Sequence, residues 1–218
     1  MTLCVQYGCG FRAPATWLNF DSSPTLRFER LPVLGRIYTK NEARFPAEVR
    51  YGDIVKGLPV AAGSVDKLYA CHVLEHLAYE DAQCALANSY SLLKAGGIFR
   101  MVVPDLYSRA ARYMARSGEP SAALDFLDST LLGRRQKPLG LMGFFSATFG
   151  GANHLWMWDE ASLGAALQRA GFVAIRRCTF GDSHDAQFAM VEQQDRFVDG
   201  DIVELAMECR KPNHSNSL

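Results

Sequence analysis

A chain of 218 residues, 49% of them apolar and 21% charged, is long enough for one domain with a substantial core. Lysine plus arginine balance aspartate plus glutamate at 23 each, and the one local basic cluster, Arg134-Arg135-Gln136-Lys137, reads as a solvated loop, so a nucleic-acid footprint is not indicated. No apolar run reaches the ~20 residues that span a bilayer and no signal-peptide pattern opens the chain, so a cytoplasmic protein without a membrane span is expected.

The six cysteines (Cys4, Cys9, Cys71, Cys84, Cys178 and Cys209) form no CxxC pair and lie partly in apolar runs. They are expected to be free thiols in a reducing compartment.

Residues 3–7, LCVQY, read as a first strand. Gly8-Cys9-Gly10 follows, and residues 17–21, WLNFD, read as a second strand ending in an acid. Strand, glycine turn, strand and terminal acid make half of a nucleotide-binding unit. Glycines let the backbone approach a ligand, and the acid can accept hydrogen bonds from ribose hydroxyls. Gly8-x-Gly10-x-x-Ala13 matches the dinucleotide fingerprint literally, but that fingerprint needs a helix after the turn and an acid roughly 20 residues on. Asp21 comes too soon, and residues 11–16 leave room for a single helical turn. A pyrophosphate would lose its helix N-terminus; a ligand without phosphates would not miss it.

A short helix is expected over 25–31, stopped by Pro32, and a third strand over 48–51 that ends at Gly52-Asp53. After a loop over 54–63, residues 64–71 read as a buried fourth strand, and His72-Val73-Leu74-Glu75-His76 starts the next turn. Asp53 and this turn read as two walls of one crevice outside the strand ends. A helix over 80–94 is expected to stop at Ala95-Gly96-Gly97 through a left-handed glycine cap. Residues 98–103 form an apolar strand interrupted only by Arg100, Asp105 caps a helix over 106–116, and another helix covers 121–132. The glycine- and phenylalanine-rich run from 137 leads into Asn153–Trp158; residues 140–158 read as a mobile flap with an apolar inner face, the alternative being an irregular core loop. Asp159 caps a helix to Ala170 with an apolar stripe of Leu163, Ala166, Leu167 and Ala170, ended by Gly171. Late strands are expected over 172–178 and 202–209, then a disordered tail over 213–218.

With these elements placed, the chain resembles the class I S-adenosylmethionine-dependent methyltransferases, in particular small bacterial methyltransferase-domain proteins. The matching phrases are VQYGCG, WLNFDSSP, GDIVKGLPVAAGSVDKLYACHVLEHL, LLKAGGIFRMVVPD, HLWMWDEASLGAALQRAGF and ECRKP, in order from residue 5 to about 212. The resemblance implies a Rossmann-like, doubly wound α/β fold. Its seven-stranded, mostly parallel sheet would have an antiparallel last strand; on the chain's own pattern the first crossover is truncated, a departure from the family, and a helical and flap insertion covers 105–158, all in a single domain over 1–212. It implies S-adenosylmethionine as cofactor. Gly8 and Gly10 would line its methionine part, Asp21 would take the ribose hydroxyls, Asp53 and Ile54 would flank the adenine, and Cys71 and His72 would lie near the sulfonium. The chain departs from the family pattern in lacking the third glycine of the first motif and in carrying Ala95 where a proline is customary.

His72-Val73-Leu74-Glu75-His76 is also, literally, the H-x-x-E-H motif of a class of zinc peptidases. That motif needs a regular helix and a third ligand, whereas here it follows a buried strand directly. No metal is expected. A hydroxyl or ammonium acceptor requires a base, and His154 and His76 are the candidates, each with a purely structural role as the competing reading. The apolar, aromatic content of 105–158 points to a small-molecule, lipid-like or glycosylated acceptor and away from nucleic acid. A non-catalytic nucleoside-binding module acting with a partner is the alternative, and an NAD-dependent oxidoreductase comes third.

Overall fold

In the computed structural model the described residues are 2–32, 43–133, 135 and 153–213. Seven strands form one sheet: β1 (Cys4–Tyr7), β2 (Trp17–Asp21), β3 (Val49–Tyr51), β4 (Val65–Cys71), β5 (Leu93–Val103), β6 (Val173–Cys178) and β9 (Leu205–Arg210), in the order β3-β2-β1-β4-β5-β9-β6. All neighbours run parallel except β9, which is antiparallel to both β5 and β6. A two-stranded hairpin, β7 (Val198–Asp199) with β8 (Ile202–Val203), stands apart. Among the described residues the α-helices are α1 (Pro24–Glu29), α2 (Tyr79–Leu92), α3 (Leu106–Ala115), α4 (Ala122–Ser129) and α5 (Glu160–Arg169).

Side chains alternate across each strand and so sort the core into two faces. Val5, Tyr7, Leu68, Ala70, Phe99, Met101 and Val103 point to one face, where the buried sides of α2 (Ala82, Ala85, Leu86) and α5 (Leu163, Ala166, Leu167) cover them. Cys4, Tyr69, Ile98 and Val102 point to the other. There the cover is an irregular segment after β6, anchored by Phe188, Val191 and Phe197. The cap residues act as their sequence suggests. The Asp105 side chain accepts from the Tyr107 N–H, and Asp159 and Ser162 form a reciprocal capping box on α5.

Two boundaries differ from the sequence expectation. Helix α2 ends at Leu92 without a glycine cap, and the chain passes straight into β5, with Leu93 already paired to Val65. Gly96, at φ +75°, therefore sits within the strand at its irregularity, not at a helix terminus. The late apolar run is also two strands, broken at Glu204, whose carboxylate turns inward to hold Arg109 (2.7 Å) and the Asp105 N–H (3.0 Å). Residues 8–16 contain no helix, in keeping with the truncated first crossover. The glycine-rich run of the expected flap and the tail beyond Asn213 lie outside the described residues.

Arg100 is the one buried charge in β5, 1% exposed. It donates to Glu192 (2.8 Å), Glu208 (2.8 Å), Asp182 (3.0 Å) and the Thr179 carbonyl (3.2 Å). Truncation would strand two buried carboxylates, so Arg100→Ala should lower the unfolding free energy by roughly 3–5 kcal/mol in urea titrations. Asp182 supplies a pH readout. Burial pushes its pKa up, but hydrogen bonds from Arg176, the Thr179 N–H and Arg100 outweigh this and hold it at about 2, against an ordinary 3.8. Its contribution is fully present above that ordinary value and drains away as pH falls towards 2. Thermal melts of Asp182→Asn should therefore show a shallower loss of stability than wild type between pH ~4 and ~2.

Candidate active site

The register sets the strand ends flush. Tyr7 pairs with Phe20 on one side and Ala70 on the other, so the next residues, Gly8, Asp21 and Cys71, arrive together at the carboxyl edge. A cavity of about 550 Å³ opens there, lined among others by Gly8, Gly10, Asp21, Ser22, Ser23, Tyr69, Cys71, His72 and His76. The volume suits a nucleoside-sized ligand.

The loop after β1 takes its shape from its two glycines, Gly8 at φ +65° and Gly10 at φ +52°. A Cβ on Gly8 would overlap the Val73 side chain, whereas one on Gly10 would meet nothing. Asp21, 9% exposed, is pinned by two backbone donors, Gly10 N–H (3.0 Å) and Ser23 N–H (2.8 Å). Each carboxylate oxygen keeps a lone pair for a ligand. Cys71 is held neutral: burial pushes its thiol up to about 12.

His72 breaks from β4 with a left-handed backbone, φ +53°. Its Nε2 meets the Arg196 carbonyl at 2.9 Å and its Nδ1 lies 3.3 Å from Glu75. Burial presses its pKa down, but the Glu75 carboxylate and the Arg196 carbonyl outweigh burial and raise it. Leu74–His76 is a single 3-10 turn, so His72 and His76 do not share a helical face as the peptidase motif requires.

Beyond His72 and Arg196, which line both spaces, lies a second cavity of about 730 Å³. Its walls come from α3, α4 and the β7-β8 hairpin and include Arg109, Arg112, Tyr113, Phe126, Asp199 and His154. His154 is 8% exposed, and burial lowers its pKa. The rings of His76 and His154 meet edge to face, 5.0 Å apart, although 78 positions separate them in sequence.

Residues 5–101 match the methyltransferase domain family. Over that stretch, a little under half of its length, the chain is similar to a methyltransferase domain. No curated protein matches it in sequence. Solved structures resemble it in fold. One is a complex between the Haloferax volcanii Trm112 methyltransferase activator and a methyltransferase, at 16% identity over 98% of this chain and 83% of that one, TM-score 0.51. Another is a SAM-dependent methyltransferase from Archaeoglobus fulgidus, at 14% identity over 96% and 86%, TM-score 0.50.

The methyltransferase domain family uses S-adenosylmethionine, and the donor set of the first cavity fits that cofactor. Spare acceptor capacity on Asp21 suits ribose hydroxyls, the Gly10 backbone is open to close approach, and the missing crossover helix costs nothing because the ligand has no phosphate. Of the residues that the sequence nominates, Gly8, Gly10, Asp21, Cys71, His72 and His76 line this cavity, and His154 lines the second. Asp53 and Ile54 line neither. The Asp53 carboxylate closes its own loop on the Val55 N–H (3.0 Å) and pairs with Lys56, while Ile54 is core at 4% exposure. Sequence reasoning missed Ser22 and Ser23, whose position after a strand-end acid was a usable signal. It also missed Val191, Gln193 and Arg196, which reach the cavity from a segment with no local motif.

The two glycines make opposite predictions. Gly8→Ala combines a left-handed penalty with overpacking against Val73 and should lose roughly 2–4 kcal/mol of stability. Gly10→Ala should lose only about 1 kcal/mol. Urea titration of both, with Val73→Ala expected to recover part of the Gly8→Ala loss, checks the assignment.

Proposed function

We propose that the protein transfers a methyl group from S-adenosylmethionine, held in the first cavity, to a polar small molecule that enters the second. The observation that carries this reading is the junction: among the described residues, His72 and Arg196 are the wall residues that the two cavities share. The cofactor brings an electrophilic methyl on a sulfonium; the chain's own residues bind, align and desolvate. Asp21 holds the ribose, the Gly8–Gly10 backbone lies along the methionine part, and Cys71 and His72 stand at the sulfonium end. A charge-neutral thiol at Cys71 suits that place because it does not compete for the methyl. Proton removal from an acceptor falls to the His76–His154 pair, one ring facing each cavity.

Among the acceptors the sequence suggests, the second cavity favours a small polar one over a lipid. Among the described residues six carboxylates and four arginines line it, a charged wall that a long acyl chain would have to desolvate.

Isothermal titration should show S-adenosylhomocysteine binding with no binding of NAD, and Asp21→Ala should weaken that binding by roughly 1–3 kcal/mol. Label from methyl-labelled S-adenosylmethionine should pass to the small-molecule fraction of an extract and not to its lipid or RNA. Absent cofactor binding by the wild type removes the reading altogether.

A further inference from the structure

At the wall between the two cavities, Glu75, His76 and His154 each offer one donor atom, and these atoms lie within 4.8 Å of one another. Glu75 is 0% exposed, yet neither carboxylate oxygen has a well-formed hydrogen bond. The nearest nitrogens are His72 Nδ1 at 3.3 Å and His76 Nε2 at 3.8 Å. A fully buried carboxylate without a firm partner is expensive, and such groups pair or coordinate a metal.

The two imidazoles are oriented for the same purpose. His76 Nδ1 meets the Asn153 carbonyl at 3.3 Å, and His154 Nδ1 meets the Thr130 carbonyl at 2.8 Å. A carbonyl can only accept, so each Nδ1 carries the proton and each Nε2 is left as a lone pair. A carboxylate and two imidazole lone pairs then converge with no proton among them, an arrangement that repels itself and that a cation resolves. Backbone carbonyls fixing the far nitrogen of each ring are also the usual support of metal-binding histidines.

We propose that Glu75, His76 and His154 bind a divalent first-row transition ion. Two imidazoles and one carboxylate suit zinc, iron(II), cobalt or manganese and not magnesium or calcium, which take oxygen donors. Donors at ~2.1 Å from a metal stand roughly 3–3.5 Å apart, so small side-chain rotations close the site. His76 faces the cofactor cavity and His154 the second one, so an open coordination position there would present the ion to an acceptor's oxygen or nitrogen, and in the loaded site the ion would lower the acceptor's pKa in place of proton removal by the free imidazoles. This purpose rests on the methyltransferase reading; the binding of the ion does not. The sequence reading of H-x-x-E-H expected no metal because it sought His72 and His76 on one helix. The geometry instead drops His72 from the set and recruits His154.

The test uses metal-free full-length protein titrated with cobalt(II), followed by its visible absorption. One equivalent should bind and be displaced by zinc. His76→Ala, His154→Ala and Glu75→Gln should each weaken binding at least ten-fold, while His184→Ala, an exposed histidine elsewhere, should not. In case a variant fails to fold, proton NMR of the cobalt-loaded wild type provides a second reading: two hyperfine-shifted exchangeable N–H signals, one per ring. Failure of the wild type to bind cobalt, equal binding by all four variants, or absence of those signals overturns the proposal. Calorimetry with S-adenosylhomocysteine on the same metal-free protein separates failure here from failure of the cofactor reading.

Discussion

A guanidinium in the middle of a β-sheet is the constraint on which much else depends. Arg100 occupies a position in β5 whose neighbours Phe99 and Met101 are fully apolar, and it cannot shed its charge. Its partners therefore have to come to it. Glu208 arrives on the antiparallel strand β9 directly opposite, while Glu192 and Asp182 arrive on the irregular segment after β6. That segment covers a sheet face with Phe188, Val191 and Phe197, and it delivers Val191, Gln193 and Arg196 to the cofactor cavity. Arg109 repeats the device at the second cavity, where Glu204 and Asp199 tie helix α3 to the hairpin. Two buried arginines thus fix the walls of a site that they do not line with free charge.

The parts of the molecule governed by local chemistry were legible in the sequence. Strand edges at Tyr7, Asp21 and Cys71, the Asp105 and Asp159 caps, and the Gly8–Gly10 turn follow from side-chain period, cap chemistry and glycine conformation. Long-range pairing was not. Gly96-Gly97 reads as a helix stop, but Leu93 finds Val65 across the sheet and begins the strand earlier. An apolar run over 202–209 reads as one strand, but the Glu204 carboxylate is needed at Arg109 and breaks it. Asp53 looked like a ligand wall by its place at a strand end; its oxygens meet the Val55 N–H and Lys56, and it lines neither cavity.

The same distinction explains the histidines. Spacing makes His72 and His76 appear a pair, because four residues separate them on a regular helix. A left-handed residue at the strand exit followed by a 3-10 turn sends them different ways, His72 to the Arg196 carbonyl and His76 towards His154. Where two cavities meet, the chain places buried, oriented nitrogen and oxygen atoms, the kind of preorganised polar environment that chemistry between two substrates uses.

The fit of Val73 against the Cα of Gly8 has a mechanical consequence. The turns leaving β1 and β4 interlock like a tooth in a notch, so neither can shift without carrying the other. Val73 is chained to His72, and His72 to the Arg196 carbonyl that borders the second cavity. The turn that shapes the first cavity and the residue that borders the second are therefore packed against each other. The first glycine is in this sense a seat, required by the packing of the two turns as much as by whatever ligand it touches.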